Sequence, residues 1–346
     1  MTQPLLMEIG DRIERAETTA AARDFAETAR ILALAKGSIS EARRLAFELS
    51  SPRVVAMFER AEPGSALGGT SPSWGNALSD YQQTAEGFIA SLRNDGCFDA
   101  VLPYTARLPF RTKLAVSVTA ITATETTEAD EKPVFDLAFT ATELAPRKAS
   151  ATVVISTELA RIGGDNANAL ILRELRNGVI AGTDSVSVAA LIAATTPIPS
   201  SGDVLTDLAA LLAAVPSGAS SRLFFVIEPS QAKILATLPG VNGAAFPQMN
   251  VNGGSIGGVT ILVSGQLAAG TAVLFDATAI AAASENVALS ASREAVVTTV
   301  ASPASSVSLW PQDLVALRAE RWFGFSLLRA DGVASLSGVD YTPTSP

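Results

Sequence analysis

The chain has 346 residues, 48% hydrophobic and 17% charged, with a formal net charge of -9, one cysteine and no histidine. The acidic balance argues against non-specific nucleic-acid binding as the main task, and a lone cysteine excludes an intrachain disulfide. The missing histidine removes Ser-His-Asp triads, Cys-His dyads and His-liganded zinc together, while the low charge implies that much of the surface meets other protein.

In chain order, residues 2–60 read as helices rich in Ala, Glu and Arg, with a stop at Gly37 and a cap at Ser40. Acids and bases are finely mixed there, which suits a solvated helical hairpin or a bundle with other copies. A small DNA-binding helix pair is the alternative, but no basic recognition helix is present. The N-terminus has acids where a signal peptide would be apolar, and no run approaches the roughly 18 apolar residues that span a membrane. Synthesis in the cytoplasm is therefore expected. Residues 61–75 form a Gly/Ser/Pro linker. A helix follows, with Leu78, Tyr81, Ala85, Phe88, Ile89 and Leu92 on one side and Gly96 past its end. The segment "CFDAVLPYTARLPF" reads as extended, and Cys97 in it as a buried small hydrophobe, with a catalytic thiol as the alternative.

Two alternating stretches come next. Leu114, Val116 and Val118 alternate on a rising strand, and Phe135, Leu137 and Phe139 on a returning one. Glu125, Glu128, Asp130, Glu131 and Lys132 sit between them. An isolated hairpin is marginal in water, so its apolar face needs a partner in this chain or another. "RKASATVVIST" is a third strand. The strongest helix starts at the candidate cap Asp165, carries a stripe of Leu170, Ile171, Leu175, Val179 and Ile180, and stops at Gly182, about 25 Å in all. Residues 185–202 read as a mobile Ser/Thr/Pro-rich segment. From Asp203 onward, "DVLTDLAALLAAV" and "SQAKILATL" read as helices, and "RLFFVIEP", "VTILVS" and "TAVLFD" as strands. "ATAIAAAS" reads as a short helix and "VALSASREAVV" as a strand. Together they form a compact α/β lobe. A long strand and a short terminal hairpin close the chain; the strand is expected to rejoin the first strand pair in space.

Gly253-Gly254-Ser255-Ile256-Gly257 fits the G-x-S-x-G elbow of esterases, but the serine precedes a strand and no histidine exists to activate it, so a glycine turn is the reading. There is no phosphate-binding glycine loop. "EADE" at the hairpin tip is a weak divalent-cation candidate without EF-hand spacing; a solvated or docked acidic tip is the main reading. Trp310 and Trp322 are read as core or subunit-packing residues. No catalytic, cofactor-binding or metal residue is assigned.

Five local patterns then occur in one order: "FIASLRNDGCFDAVLP", "EKPVFDLAFTATEL", "VISTELAR" with "NALILRELRNGVIAGTDS", the series from "LFFVIEPSQAKIL" to "VALSASREA", and "DLVALRAERWFGFSLLRADGVASL". This order resembles the tailed-bacteriophage major capsid proteins of the Hong Kong 97-like fold family, from about Gly64 to the C-terminus. The resemblance implies an α+β fold in which 1–60 are a scaffold-like helical extension and 61–110 a linker and N-arm. Residues 111–146 would be the extended E-loop hairpin, 147–202 a peripheral domain with a long spine helix, 203–302 an axial domain, and 303–346 a closing strand and tail. It implies a structural protein, not an enzyme, made in the bacterial host cytoplasm and assembled as pentamers and hexamers into the icosahedral shell of a virion. Partners would be other copies, a portal and decoration proteins, with double-stranded DNA enclosed without sequence recognition, and neither cofactor nor membrane. An encapsulin-type nanocompartment is the alternative, disfavoured by the extension and linker at 1–75; a hydrolase is a distant third.

The resemblance places the hairpin over a neighbouring subunit. The inter-subunit contact expected is Glu125, Glu128, Asp130 and Glu131, with Lys132, Phe135 and Phe139, against Arg173 and Arg176 of the spine helix. It also implies a departure. Positions at which the type member carries its crosslinking lysine, glutamate and asparagine hold Ala141, Ala319 and Gln312, so no autocatalytic isopeptide bond is expected.

Overall fold

A computed structural model describes residues 3–35, 38–59, 88–92, 95–111, 113–117, 139–218, 220–240, 243–298 and 306–342. The fold is α+β, and the chain forms two compact units. The first comprises Met1–Ala100, Lys148–Thr183 and Glu285–Trp322; the second comprises Val101–Arg147, Asp184–Ser284 and Phe323–Pro346.

The first unit begins with helices Gln3–Leu34, Ile39–Leu49 and Pro52–Glu59. They are not simply a solvated hairpin. Phe25, Ala29 and Ala33 enter one core with Phe88, Leu92, Ile171 and Leu175, while Ile31, Ala42, Ala46 and Val54 form a smaller core among the three helices. Phe25 stacks on Phe88 at 4.4 Å between ring centroids. Alanines every three or four residues let these helices approach closely, and burying these faces supplies most of their stability. Ser38, rather than Ser40, occupies the cap position of the second helix. Of the helix read at 78–92, residues 78–87 lie outside the described residues.

The long helix is Gly164–Ala193, 30 residues or about 45 Å. It does not stop at Gly182 but continues to Ala193, so the first half of the segment read at 185–202 is helical. Gly178 and Gly182, one turn apart, face strand Arg147–Ser156. A Cβ on Gly178 would lie 2.6 Å from the Ala151 Cβ, and one on Gly182 would lie 3.1 Å from the Ala149 Cβ. The glycines serve close packing, not termination. The Thr183 hydroxyl donates back to the Val179 and Ile180 carbonyls, and Ser187 to the Asp184 carbonyl, so the polar residues that mimic a connector are satisfied within the helix.

A four-stranded sheet has the order Ala106–Arg107, Ile280–Ser292, Leu314–Leu327, Arg147–Ser156. Strand Leu314–Leu327 therefore pairs with "RKASATVVIST" and not with the first strand pair, which forms a separate two-stranded sheet. The expected helix "ATAIAAAS" is a 3-10 turn, Ala277–Ala279, running into the strand that starts at Ile280. Ala281, Ala282 and Ala283 are buried in that strand, where burial outweighs alanine's helical preference. Conversely, the supposedly extended "CFDAVLPY" is helix Cys97–Val101 and a 3-10 turn, Leu102–Tyr104, with Pro103 tolerated because it lies in the first turn. Cys97 is buried.

The second unit is built on a seven-stranded sheet in the order Ile198–Pro199, Val333–Ser337, Thr271–Asp276, Leu223–Ile227, Val259–Val263, Gly253–Ile256, Met249–Asn250. Leu223–Ile227 runs parallel to Val259–Val263 and antiparallel to Thr271–Asp276. Both central strands read as nearly continuous apolar runs because both faces are covered. Val333–Ser337 is an integral strand of this sheet, where a terminal hairpin was expected. Helices Val204–Ala214 and Pro229–Thr237 cover the sheet through Leu208, Leu211, Ala232 and Leu235.

Asp203 caps helix Val204–Ala214 by accepting from the Thr206 N–H at 2.9 Å and its hydroxyl at 2.7 Å. The Thr206 hydroxyl, then the backbone N–H groups, hold the Asp203 carboxyl below its ordinary value. Asp203→Ala is expected to cost about 1 kcal/mol. A depressed folded-state pKa means this contribution is full above the unfolded value and is lost as pH falls through the folded one. The difference in urea midpoint between wild type and variant should therefore be present at neutral pH and shrink below about pH 4.

Candidate functional site

The hairpin enters the described structure at its root. Lys113–Ser117 pairs antiparallel with Phe139–Glu143, with Lys113 opposite Glu143, Ala115 opposite Ala141 and Ser117 opposite Phe139. The root is anchored by a small apolar cluster: Leu144, Ala281 and Ala283 are buried, with Leu108, Phe110 and Leu328 against them. Gly324 lets this cluster close, since a Cβ there would meet Leu144 at 3.0 Å and Phe110 at 3.1 Å. Arg111 turns the chain into the first strand with a positive φ of 61°, and its N–H donates to the Leu144 carbonyl at 3.1 Å. Among the expected contact residues, Glu125, Glu128, Asp130, Glu131, Lys132 and Phe135 lie outside the described residues. Phe139 begins the returning strand.

On the long helix, Arg173 and Arg176 already hold acids of their own chain. Arg173 pairs with Glu174 at 2.8 Å. Arg176 pairs with Asp95 and donates to the Ser91 carbonyl at 2.8 Å. Three other arginines are exposed around the hairpin root: Arg107, Arg111 and Arg147.

Ala141 sits on the returning strand, Ala319 is fully buried in strand Leu314–Leu327, and Gln312 ends an exposed 3-10 turn. An acid at position 319 would point into the apolar core of the first unit. Trp310 is 71% exposed, which excludes a core role for it, and Trp322 lies on the outer face of its strand with the Lys148 ammonium 5.7 Å from its ring centroid. Lys148 also bonds Glu320 at 2.8 Å, and that bond holds the Glu320 carboxyl below its ordinary value. Ser255 lies within strand Gly253–Ile256, its hydroxyl bonded to the Gln248 side chain at 2.6 Å, so it is not on a strand-to-helix elbow. Among the described residues no three His, Cys, Asp or Glu gather as a metal site, and no helix is long and apolar enough to cross a membrane.

Sequence reasoning missed one buried constellation. Arg321, an inward position on strand Leu314–Leu327, donates Nη1 to Asp99 Oδ2 at 2.8 Å and Nη2 to Asp99 Oδ1 at 2.6 Å. Both side chains are essentially inaccessible to water, and the guanidinium lies 5.4 Å from the Phe98 ring centroid. The only signal was an arginine at an inward-facing step of an otherwise apolar alternation.

No protein-family profile matches the chain. A capsid polyprotein of Pseudomonas phage PAJU2 is 28% identical over 358 residues, covering 92% of this chain and 54% of that protein. The chain thus spans about half the length of this curated relative. Similar solved structures include chains from Gordonia phage Cozz (17% identity, 68% of this chain and 85% of that one, TM-score 0.47) and Mycobacterium phage Ogopogo (14%, 68% and 91%, 0.47). A virus-like particle from Pyrococcus furiosus is similar at 11% identity over 73% of this chain and 98% of that one, with a TM-score of 0.44.

Proposed function

We propose that the chain is the major capsid protein of a tailed phage, self-assembling through pentamers and hexamers into an icosahedral shell that encloses double-stranded DNA. The observation that carries this reading is the phage capsid polyprotein matching 92% of the chain. The physical features agree with it. A shell subunit must commit surface to several neighbours at about 1,600 Å² per interface, and this chain is sparsely charged and exposes Phe47, Ile162 and Trp310. It also has a hairpin whose alternating residues extend well past the anchored root. The subunit acts as a structural part of the virion capsid, with no catalytic step: the serine of the glycine motif is bonded within a sheet and the sequence contains no histidine. We assign it, as partners, its own copies, a portal and decoration proteins.

In this reading the hairpin apolar residues, Phe135 and Phe139 among them, lie over the next subunit with the acidic tip beside them. Arg173 and Arg176 enter that contact only by giving up Glu174 and Asp95. Electron microscopy of the purified full-length chain tests the shell itself. Closed shells are expected; a dispersed monomer would overturn the reading. The shell should also be held without covalent links, because Ala141 and Ala319 supply neither a nucleophilic amine nor an acid. Boiled in detergent, assembled shells should run as one band at subunit mass, and a ladder of multiples would contradict this.

A further inference from the structure

The short helix Thr157–Ile162 presents a bare outer face. Ala160 is fully buried, Leu159 is 36% and Ile162 75% exposed, and Glu158 and Arg161 are exposed beside them. With about 100° between successive residues and Ala160 inward, Glu158 and Arg161 fall on one side of the outward direction. Leu159 and Ile162 fall on the other. Among the described residues, neither charge has an ion-pair partner.

This helix is held more firmly than its length explains, since so short a helix is marginal by itself. The Ser156 hydroxyl caps it by accepting from the Leu159 N–H at 3.1 Å. The Thr157 N–H and hydroxyl both donate to the Asp313 carbonyl at 3.0 Å. At the other end Arg30, only 5% exposed, donates Nη1 to the Ala160 carbonyl at 3.3 Å. A cation there satisfies an orphan carbonyl and complements the helix dipole. Burying a guanidinium without a carboxylate is nevertheless costly, and Arg30 Nε has no hydrogen-bond partner among the described residues. Gly163 joins the helix closely to the next one, since a Cβ there would lie 2.5 Å from the Ala167 Cβ. The subunit thus fixes four side chains that it leaves exposed. Groups ordered in advance suit a contact surface, because ordering them on binding costs affinity.

We propose that helix Thr157–Ile162 is a self-complementary contact between two copies of this chain, laid antiparallel across a two-fold axis. In that arrangement the charged sides of both helices coincide, and so do the apolar sides. Glu158 faces Arg161 of the second copy, twice over, and Leu159 faces Ile162 of the second copy. Parallel helices would instead set the charged side against the apolar side. The pattern therefore selects both the occupant and its direction. The contact rests on the shell reading and deepens it: rings close through head-to-tail patches, but rings are joined across two-fold axes, where a patch must match itself. One six-residue helix buries well under the roughly 1,200 Å² of a stable dimer, so it acts by repetition over many copies.

The test uses the full-length chain and sedimentation velocity at about 50 mM and about 500 mM salt. Wild type is compared with Glu158→Arg, with Arg161→Glu, with the two combined, and with Ile162→Asp. Because the contact meets itself, each single reversal creates two like-charge pairs. Each should lower the shell fraction about tenfold at low salt and less at high salt, and the combined swap should recover most of it. Ile162→Asp should lower it at both salts. The lost shells should appear as separate pentamers and hexamers; loss to monomers would place the helix inside a capsomer and overturn the two-fold contact. Circular dichroism checks that each variant folds; if a reversal does not, Glu158→Gln and Arg161→Gln should still show a smaller loss. Shells that form equally well with either charge reversed would overturn the contact and leave the shell reading standing. A combined swap that folds but does not recover assembly would overturn the contact too. Charge-sensitive wild-type dimers without shells would support the contact and overturn the shell reading, and a monomeric wild type would overturn both.

Discussion

Asp99→Ala should lower the stability of the subunit by about 3–5 kcal/mol, a large share of what holds a domain folded. The reason is the state of Arg321 after the change. Its guanidinium is fully buried, both terminal nitrogens are bonded to Asp99, and the Phe98 ring centroid lies 5.4 Å from it. Removing the carboxylate leaves a charge that can neither reach water nor deprotonate. The intact pair is not thereby strongly stabilising, because desolvating both ions offsets much of their attraction. Asp99→Leu combined with Arg321→Met should accordingly lose much less than Asp99→Ala alone. Urea unfolding of unassembled protein, followed by tryptophan fluorescence, measures both. Equal midpoints for wild type and Asp99→Ala would show that the pair is not isolated from water.

Gly178→Ala should destabilise the chain by about 1–3 kcal/mol, against the direction that helix propensity gives. In an exposed helix the same change gains about 1 kcal/mol. Here the new methyl would lie 2.6 Å from the Ala151 Cβ, so the helix and strand Arg147–Ser156 must move apart. Gly182→Ala is the internal comparison. Its methyl would lie 3.1 Å from the Ala149 Cβ, a contact that a shift of a few tenths of an ångström relieves, so propensity and crowding nearly cancel. Thermal unfolding should rank Gly178→Ala well below wild type and Gly182→Ala close to it. The reverse order would mean that the helix does not pack against the strand as described.

At these two positions the local sequence alone does not decide the structure. The apolar stripe from Leu170 to Ile180 was legible because its period is local, but Gly182 carries the same letter whether it ends a helix or admits a strand. Only the alanines at 149 and 151, about thirty residues away, decide between the two. Asp99 and Arg321 are 222 residues apart, so no local pattern joins them. Alanine misled in the other direction: Ala281, Ala282 and Ala283 favour helix in isolation and are strand because the sheet buries them. The central strands of the second unit were legible, since Leu223–Ile227, Val259–Val263 and Thr271–Asp276 are short apolar runs bounded by turn residues. Of the candidate contact, the root pairing of the hairpin follows from alternation. The N-terminal helices were recognised as helices, but their mixed charge concealed that Phe25, Ala29 and Ala33 belong to the core of the first unit.

A capsid subunit must build a closed shell from its own copies. Electron microscopy of the full-length protein, purified without other phage components, tests it most directly. Closed icosahedral particles made of five- and six-fold capsomers are expected, with the hairpin of each subunit lying over the next. Monodisperse monomers, or dimers related by a two-fold axis that bury the hairpin against itself, would contradict it.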